Sequence, residues 1–202
     1  FCFPEYFFVD QSLGNHKQTI ENQKYQINRI KNISEALQTV VIGGSMPEMD
    51  RDNLFNTTFV FNRGKQLGFY RKNHLFFAEE GKITPGKSFE VFEAYDIVFG
   101  VIICADVFYD KSFLTMKDLK AELIFSPTFS PYKDEDVESK YKCDMEIYAR
   151  GSKIMNGVRY VHPIQAFLDL KGKPQRAKEA QQELRRQILK NFHTIKQKKC
   201  IY

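Results

Sequence analysis

Glu5, Lys72 and Cys104 have the side chains that nucleophilic catalysis needs, and each stands at a place where an active site could form. Cys104 closes the stretch Gly100-Val-Ile-Ile-Cys104-Ala-Asp106, in which an apolar run from Ile97 to Ile103 is broken only by Gly100. Such a run reads as a buried strand, with a turn beginning around Asp106. A cysteine at the C-terminal mouth of a buried strand is where an α/β protein places a nucleophile, although free cysteine also serves as a small core hydrophobe. Glu5 is embedded among aromatics in Phe3-Pro4-Glu5-Tyr6-Phe7-Phe8. A carboxylate there is either solvated on a loop or desolvated, and a desolvated one suits a general base. Lys72 lies in Tyr70-Arg71-Lys72-Asn73-His74-Leu75-Phe76, after a strand-like segment and a turn around Gly64. A lysine held near a carboxylate and a thiol can stabilise a developing oxyanion, whereas a solvated lysine does nothing of the kind.

Several elements must position these groups. Phe1 to Val9 reads as a strand end running into a loop. Ile20, Ile27, Ile30, Ile33 and Leu37 recur at helical spacing and predict one amphipathic helix from His16 to Leu37. Thr39 to Gly43 reads as a buried strand. Phe55–Asn62 and Gly68–Tyr70 read as a hairpin about Gly64. Phe89–Phe92, Asp96–Ile103 and Leu123–Ser126 read as strands, and Phe113–Lys120 as a helix. Tyr132 to Lys140 is polar and reads as a loop. A helix is expected over Tyr141–Met155 and a strand over Val158–Val161. Alternating apolar strands and helices indicate a layered α/β architecture.

Taken together, FPE (Phe3 to Glu5), YRKNHLF (Tyr70 to Phe76), the TPG turn (Thr84 to Gly86) and GVIICAD (Gly100 to Asp106) resemble the nitrilase superfamily of carbon–nitrogen hydrolases. The resemblance extends through NTTFVFNRGKQLGFYRK and ELIFSPT and covers Phe1 to Pro163. It implies a four-layer α-β-β-α sandwich and a thiol-dependent hydrolase acting on small amides or carbamoyl compounds, with nitriles less favoured. In that reading Glu5 is the general base, Cys104 the nucleophile and Lys72 the oxyanion stabiliser, joined by the backbone N–H of Ala105. Glu79, five residues before Thr84, would be the second glutamate, with Glu80 as the alternative. Arg150 and Asn156 match a family segment in which Met155 replaces a usual glutamate. Arg150 would then support the cysteine loop, or else pair with a surface acid.

The pattern also departs from the family. The chain starts on the strand carrying Glu5, and little lies between Val161 and the strand-like Phe167–Lys173. We therefore expect a sandwich truncated at its N-terminal strand and in its C-terminal part, with an incomplete hydrolase domain over 1–170 and a basic amphipathic helix or tail over 171–202. The competing expectation is an inactive nitrilase-like module kept for interaction or oligomerisation. The family also implies a homodimer or larger homo-oligomer.

Composition excludes other classes. The net charge of +5 resides in the tail: residues 171–202 carry ten Lys or Arg against two acids, and the remainder 20 against 23, a balance of −3. This argues against a nucleic-acid-binding domain. No apolar run approaches the ~18 residues of a membrane span. Four scattered cysteines and four scattered histidines offer no zinc-ligand spacing, and the reading calls for no metal or organic cofactor. The same cysteine usage fits a reducing compartment such as the cytoplasm. A papain-like Cys–His pairing is disfavoured, since His74 sits two residues from Lys72 and reads as structural. The implied partners are a small amide substrate and water.

Overall fold

The computed structural model describes residues 1–9, 16–129 and 137–155. The first sheet is organised by β3 (Asn53–Asn62), whose odd and even residues face opposite layers. On one side β3 pairs antiparallel with β1 (Val40–Ile42) and then β2 (Met46–Asp50), which follow one another along it. On its other side lies β4 (Lys65–Arg71), also antiparallel. The chain start runs beside β1: Phe3 N–H donates to Ile42 O and Ile42 N–H to Phe1 O, at 3.0 and 2.8 Å. The second sheet has order β5-β6-β7, with β5 (Val91–Ala94) antiparallel to β6 (Ile97–Val101) and β7 (Leu123–Phe125) parallel to it.

Helices cover the outer faces. α1 (Lys17–Glu21) and α2 (Gln23–Ala36) precede β1, and Ile30 of α2 packs with Val41, Met46, Phe59 and Phe61. α3 (Asp110–Asp118) connects β6 to β7, and α4 (Val137–Ile154) packs beside it. Phe113, Met116, Tyr148 and Met155 meet Ile102 and Ile124 there. Between the sheets, Ile42, Val60 and Tyr70 meet Phe92, Phe99, Val101 and Ile103. The layer order is therefore the α-β-β-α sandwich that the family resemblance implies.

Some boundaries differ from expectation. The helix expected from His16 to Leu37 is two helices. At Asn22 the side-chain amide donates back to Gln18 O at 2.9 Å, a local bond that competes with helix continuation. Leu37 caps α2 and is exposed rather than part of its apolar face. Strand β2 is absent from the expectation because Met-Pro-Glu-Met-Asp has no apolar alternation; Pro47 lacks an N–H to donate. α3 begins three residues before Phe113, with Asp110 in its first turn. The loop expected to last until Lys140 ends earlier, since Val137–Lys140 are the first residues of α4. The sequence has acids at all of 134–136, just ahead of it, a pattern that favours a helix start. The expectations for Val158–Val161, Phe167–Lys173 and the tail fall outside the described residues, as does Asn156.

Candidate active site

The site lies where the two sheets meet, and strand alternation decides what faces it. Within β3, Phe55 and Thr57 look outward while Asn56 looks toward the second sheet, completely buried. Across from it, Arg71 takes the outer face and Lys72 the inner one. Lys72 is held in place by its own N–H to Asn56 O, 2.9 Å, and by Gly86 N–H to its carbonyl, 2.8 Å. A Cβ on Gly86 would strike the Arg71 carbonyl oxygen, so the TPG turn can close here only with glycine. Gly44 does the same for Glu5: its φ is +68° and a Cβ would strike the Pro4 carbonyl oxygen.

Glu5, Lys72, Glu79 and Cys104 are brought together, and Glu80 is left exposed to solvent. Lys72 is 1% exposed and Glu5 4%. Lys72 Nζ donates to Glu5 Oε1 at 2.8 Å and to Glu79 Oε2 at 2.7 Å. Asn56 Nδ2 donates to Glu5 Oε1 at 2.9 Å and to Glu79 Oε1 at 2.8 Å. Tyr6 O–H donates to Glu79 Oε1, 2.7 Å, and Phe76 N–H to Glu79 Oε2, 2.8 Å. Phe129 N–H donates to Glu5 Oε2 at 3.2 Å. One cation and two carboxylates thus form a closed, nearly dry cage.

Cys104 opens a 3₁₀ turn, Cys104–Phe108, with φ +43°, a left-handed value uncommon for a residue with a side chain. Such a conformation costs about 1–3 kcal/mol and persists only when its surroundings enforce it. Here Cys104 N–H donates to Pro127 O at 2.9 Å. The fully buried Asp106 accepts from Ile103 N–H and His74 N–H, both 2.8 Å, and from Tyr70 O–H, 2.8 Å. His74 Nδ1 lies 2.9 Å from Asp106 and its ring stacks on Tyr109. Asp106 therefore ties the cysteine turn to the residues on either side of Lys72. Arg150 meets both expectations for it, donating to the carbonyls of Val107 and Phe108 and pairing with Asp110 at 2.9 Å.

The charges set the protonation states. Burial alone would lower Lys72, but Glu5, Cys104 and Glu79 outweigh it and hold the ammonium above its usual range. Burial would raise Glu79, yet Lys72 and the hydrogen bonds from Lys72, Phe76 and Tyr6 hold it below the usual carboxylate range. Burial pushes the Cys104 thiol up, Glu5 pushes further through charge and a hydrogen bond, and Lys72 only partly opposes them. The balance favours the neutral thiol at Cys104.

Ala105 is buried directly after Cys104. Asn56, Tyr6 and Asp106 were not singled out by sequence reasoning. Asn56 hides in an apolar strand pattern; Asp106 had a signal in its place two residues after the cysteine. Among the described residues no cluster of His, Cys, Asp or Glu could hold a metal ion, and no helix is long and apolar enough to cross a membrane.

The family model described as Carbon-nitrogen hydrolase matches residues 1–164. Nitrilase homolog 2 of Dictyostelium discoideum is 33% identical over 139 residues, 61% of this chain and 42% of that protein. Omega-amidase NIT2 of Xenopus tropicalis is 38% identical over 89 residues, 39% of this chain and 32% of that protein. The matched region thus spans less than half the length of either relative. The crystal structure of a carbon–nitrogen hydrolase from Helicobacter pylori G27 is similar in fold, with TM-score 0.62 at 21% identity over 77% of this chain and 55% of that one.

Proposed function

The chain belongs to the carbon–nitrogen hydrolase family of the nitrilase superfamily, and from that premise we propose that it hydrolyses non-peptide carbon–nitrogen bonds of small amides or carbamoyl compounds through a thioester on Cys104. The observation that carries the proposal is the cage itself: Lys72 bonded to both Glu5 and Glu79 beside a strained cysteine turn. A purely structural ion pair has no need of a neighbouring thiol. The amidase name of a relative supports amides as the substrate class.

In this mechanism the Cys104 thiol attacks the amide carbon while Glu5 takes its proton. A resting thiol makes that transfer obligatory, and general-base assistance of this kind contributes about 10²–10⁴ in rate. The tetrahedral oxyanion is held by Lys72 and the Ala105 N–H. An ammonium has three protons to donate; two are used by Glu5 and Glu79, and the third is available for the oxyanion. Collapse breaks the C–N bond, and the amine leaves with the proton held by Glu5. Water then attacks the thioester, with Glu5 as base again, and the acid departs as the thiol is restored. Two moderate barriers replace one high one. Glu79 fixes the position of Lys72.

The reading requires Cys104 to stay reduced, in keeping with a cytoplasmic protein. Exposed Phe108, Tyr109 and Leu114 beside the cysteine turn support a homo-oligomer, which sedimentation velocity would measure.

Intact-protein mass spectrometry after exposure to a panel of small amides tests the reaction. An acyl adduct that disappears in Cys104→Ala is the expected result, and its mass names the acyl group. No adduct and no released ammonia from any amide would instead favour a non-catalytic interaction module.

A further inference from the structure

The two oxygens of Glu5 are not equivalent. Oε1 accepts from Lys72 at 2.8 Å and from Asn56 at 2.9 Å, both well inside the ordinary hydrogen-bond range. Oε2 accepts a longer bond, 3.2 Å, from Phe129 N–H. The same Phe129 offers its carbonyl to Cys104 Sγ at 4.0 Å, so the Oε2 side of the carboxylate shares a main-chain neighbour with the thiol. The orientation of Asn56 is set by charge. Its Oδ1 is buried without a hydrogen-bond partner among the described residues, yet the amide keeps Nδ2 toward the carboxylates, because a carbonyl oxygen facing them would be repelled.

Resting on the hydrolase reading above, we propose that Asn56 is a positioning residue: with Lys72 it occupies Glu5 Oε1, fixing the carboxylate plane and leaving Oε2 as the oxygen that receives the Cys104 proton. The Asn56 amide spans the cage opposite Lys72, bridging Glu5 and Glu79 with neutral donors where a second cation would neutralise the base. The titratable and charged groups facing Glu5 are Lys72 after β4, Glu79 on the following loop and Cys104 after β6. Tyr6 lies one residue beyond Glu5, and burial pushes its phenol up, so it stays a neutral donor. Removing the Asn56 N–H takes a donor from the ionised form of Glu5, so its proton affinity rises.

The test uses the full chain with Asn56→Leu and the isosteric Asn56→Asp, folding being checked by circular dichroism. The probe is acrylamide, a neutral electrophile, and the readout is the rate of Cys104 modification against pH, followed by kcat and KM on an amide of the panel. Cys104→Ala sets the background from the other cysteines. The expected result is an acidic limb moved to higher pH by about one unit, a modification rate lower by about tenfold and a lower kcat with KM little changed. A folded variant of either kind that keeps the wild-type limb and rate overturns the proposal. If the limb moves but the wild type turns over no amide, the hydrolase reading fails while the role of Asn56 stands. If the wild type turns over amide and the limb stays, the reverse holds.

Discussion

Arg71 and Lys72 are neighbours in sequence, and each binds two carboxylates, yet strand alternation sends them into opposite worlds. Arg71, 22% exposed at its side chain, forks onto Glu48 at 2.8 and 2.9 Å, reaches Asp50 at 2.9 Å and lies over the Phe55 ring at 3.9 Å. Lys72, 1% exposed, joins Glu5 and Glu79 in the interior. The outer cluster is a planar, geometrically saturated clamp between β2 and β4, with no nucleophile beside it. The inner one is a point charge with a donor to spare and a thiol beside it. Burying ions is costly, and replacing a buried pair with apolar residues is often neutral or stabilising. The inner cluster is therefore poorly explained by stability, and the outer one is sufficiently explained by it.

The largest expected effect breaks the symmetry outright. Cys104→Ala abolishes turnover and leaves the thermal midpoint close to wild type, measured by ammonia release and calorimetry. Lys72→Met against Arg71→Met comes next. Lys72→Met lowers kcat/KM by ~10² or more through the lost oxyanion donor, and leaves two carboxylates facing each other without a cation. Arg71→Met keeps activity within a few-fold and costs on the order of 1–2 kcal/mol in urea unfolding. Equal losses of kcat/KM in the two variants would mean that the clusters are not different in kind. Glu5→Gln, which preserves the carbonyl acceptor but not the base, slows acylation by ~10² while Glu48→Gln leaves it unchanged.

Acid and base separate the clusters further. The folded value of Glu79 lies below its ordinary 4.5. Its contribution to stability is therefore present above pH 4.5 and is lost as pH falls through the folded value. The folded value of Lys72 lies above its ordinary 10.5, so its contribution is present below pH 10.5 and is lost as pH rises through the folded value. Urea midpoints across pH should thus decline at both extremes in the wild type. Glu79→Gln should flatten the acidic decline; an unchanged acidic slope in that variant would show that Glu79 is not held down in the folded chain.

Much of this division was legible in the sequence. The resemblance of FPE, YRKNHLF, the TPG turn and GVIICAD to the nitrilase superfamily names Glu5, Lys72, Glu79 and Cys104 of the inner cluster, and the apolar run ahead of Cys104 names its strand. The outer cluster was not legible, because it depends on β2, whose Met-Pro-Glu-Met-Asp carries neither alternation nor β-branched residues; its strand form comes from pairing with β3. The neutral state of Cys104 was not legible either. It follows from the burial of Cys104 and from Glu5 beside it, which Lys72 only partly opposes, a three-dimensional fact that no spacing records. Asn56 was hidden for a related reason: in a run such as Asn-Leu-Phe-Asn-Thr-Thr-Phe, a polar residue reads as solvent-facing until a second sheet is known to cover it.

The smallest effect sharpens the comparison most. Each cluster has one hydroxyl donor: Tyr6 O–H to Glu79 Oε1 at 2.7 Å inside, and Thr57 O–H to Glu48 Oε2 at 2.6 Å outside. Tyr6→Phe and Thr57→Val each delete one hydrogen bond to a carboxylate, and each should cost about 1–2 kcal/mol of stability. The Tyr6 ring should keep its place, since it stacks on His16 at 5.3 Å. Only the inner deletion should reach the chemistry. With one donor fewer, Glu79 is held down less, so the acidic loss of stability in Tyr6→Phe begins at higher pH than in the wild type. Its kcat should fall by a few-fold as Lys72 loses a fixed partner. Thr57→Val should leave kcat unchanged, because Glu48 still holds both bonds from Arg71. Matched stabilities with unmatched kcat values would show that the two ion clusters differ in what they face. Matched kcat values would mean that Glu79, however well bonded, does not position the lysine.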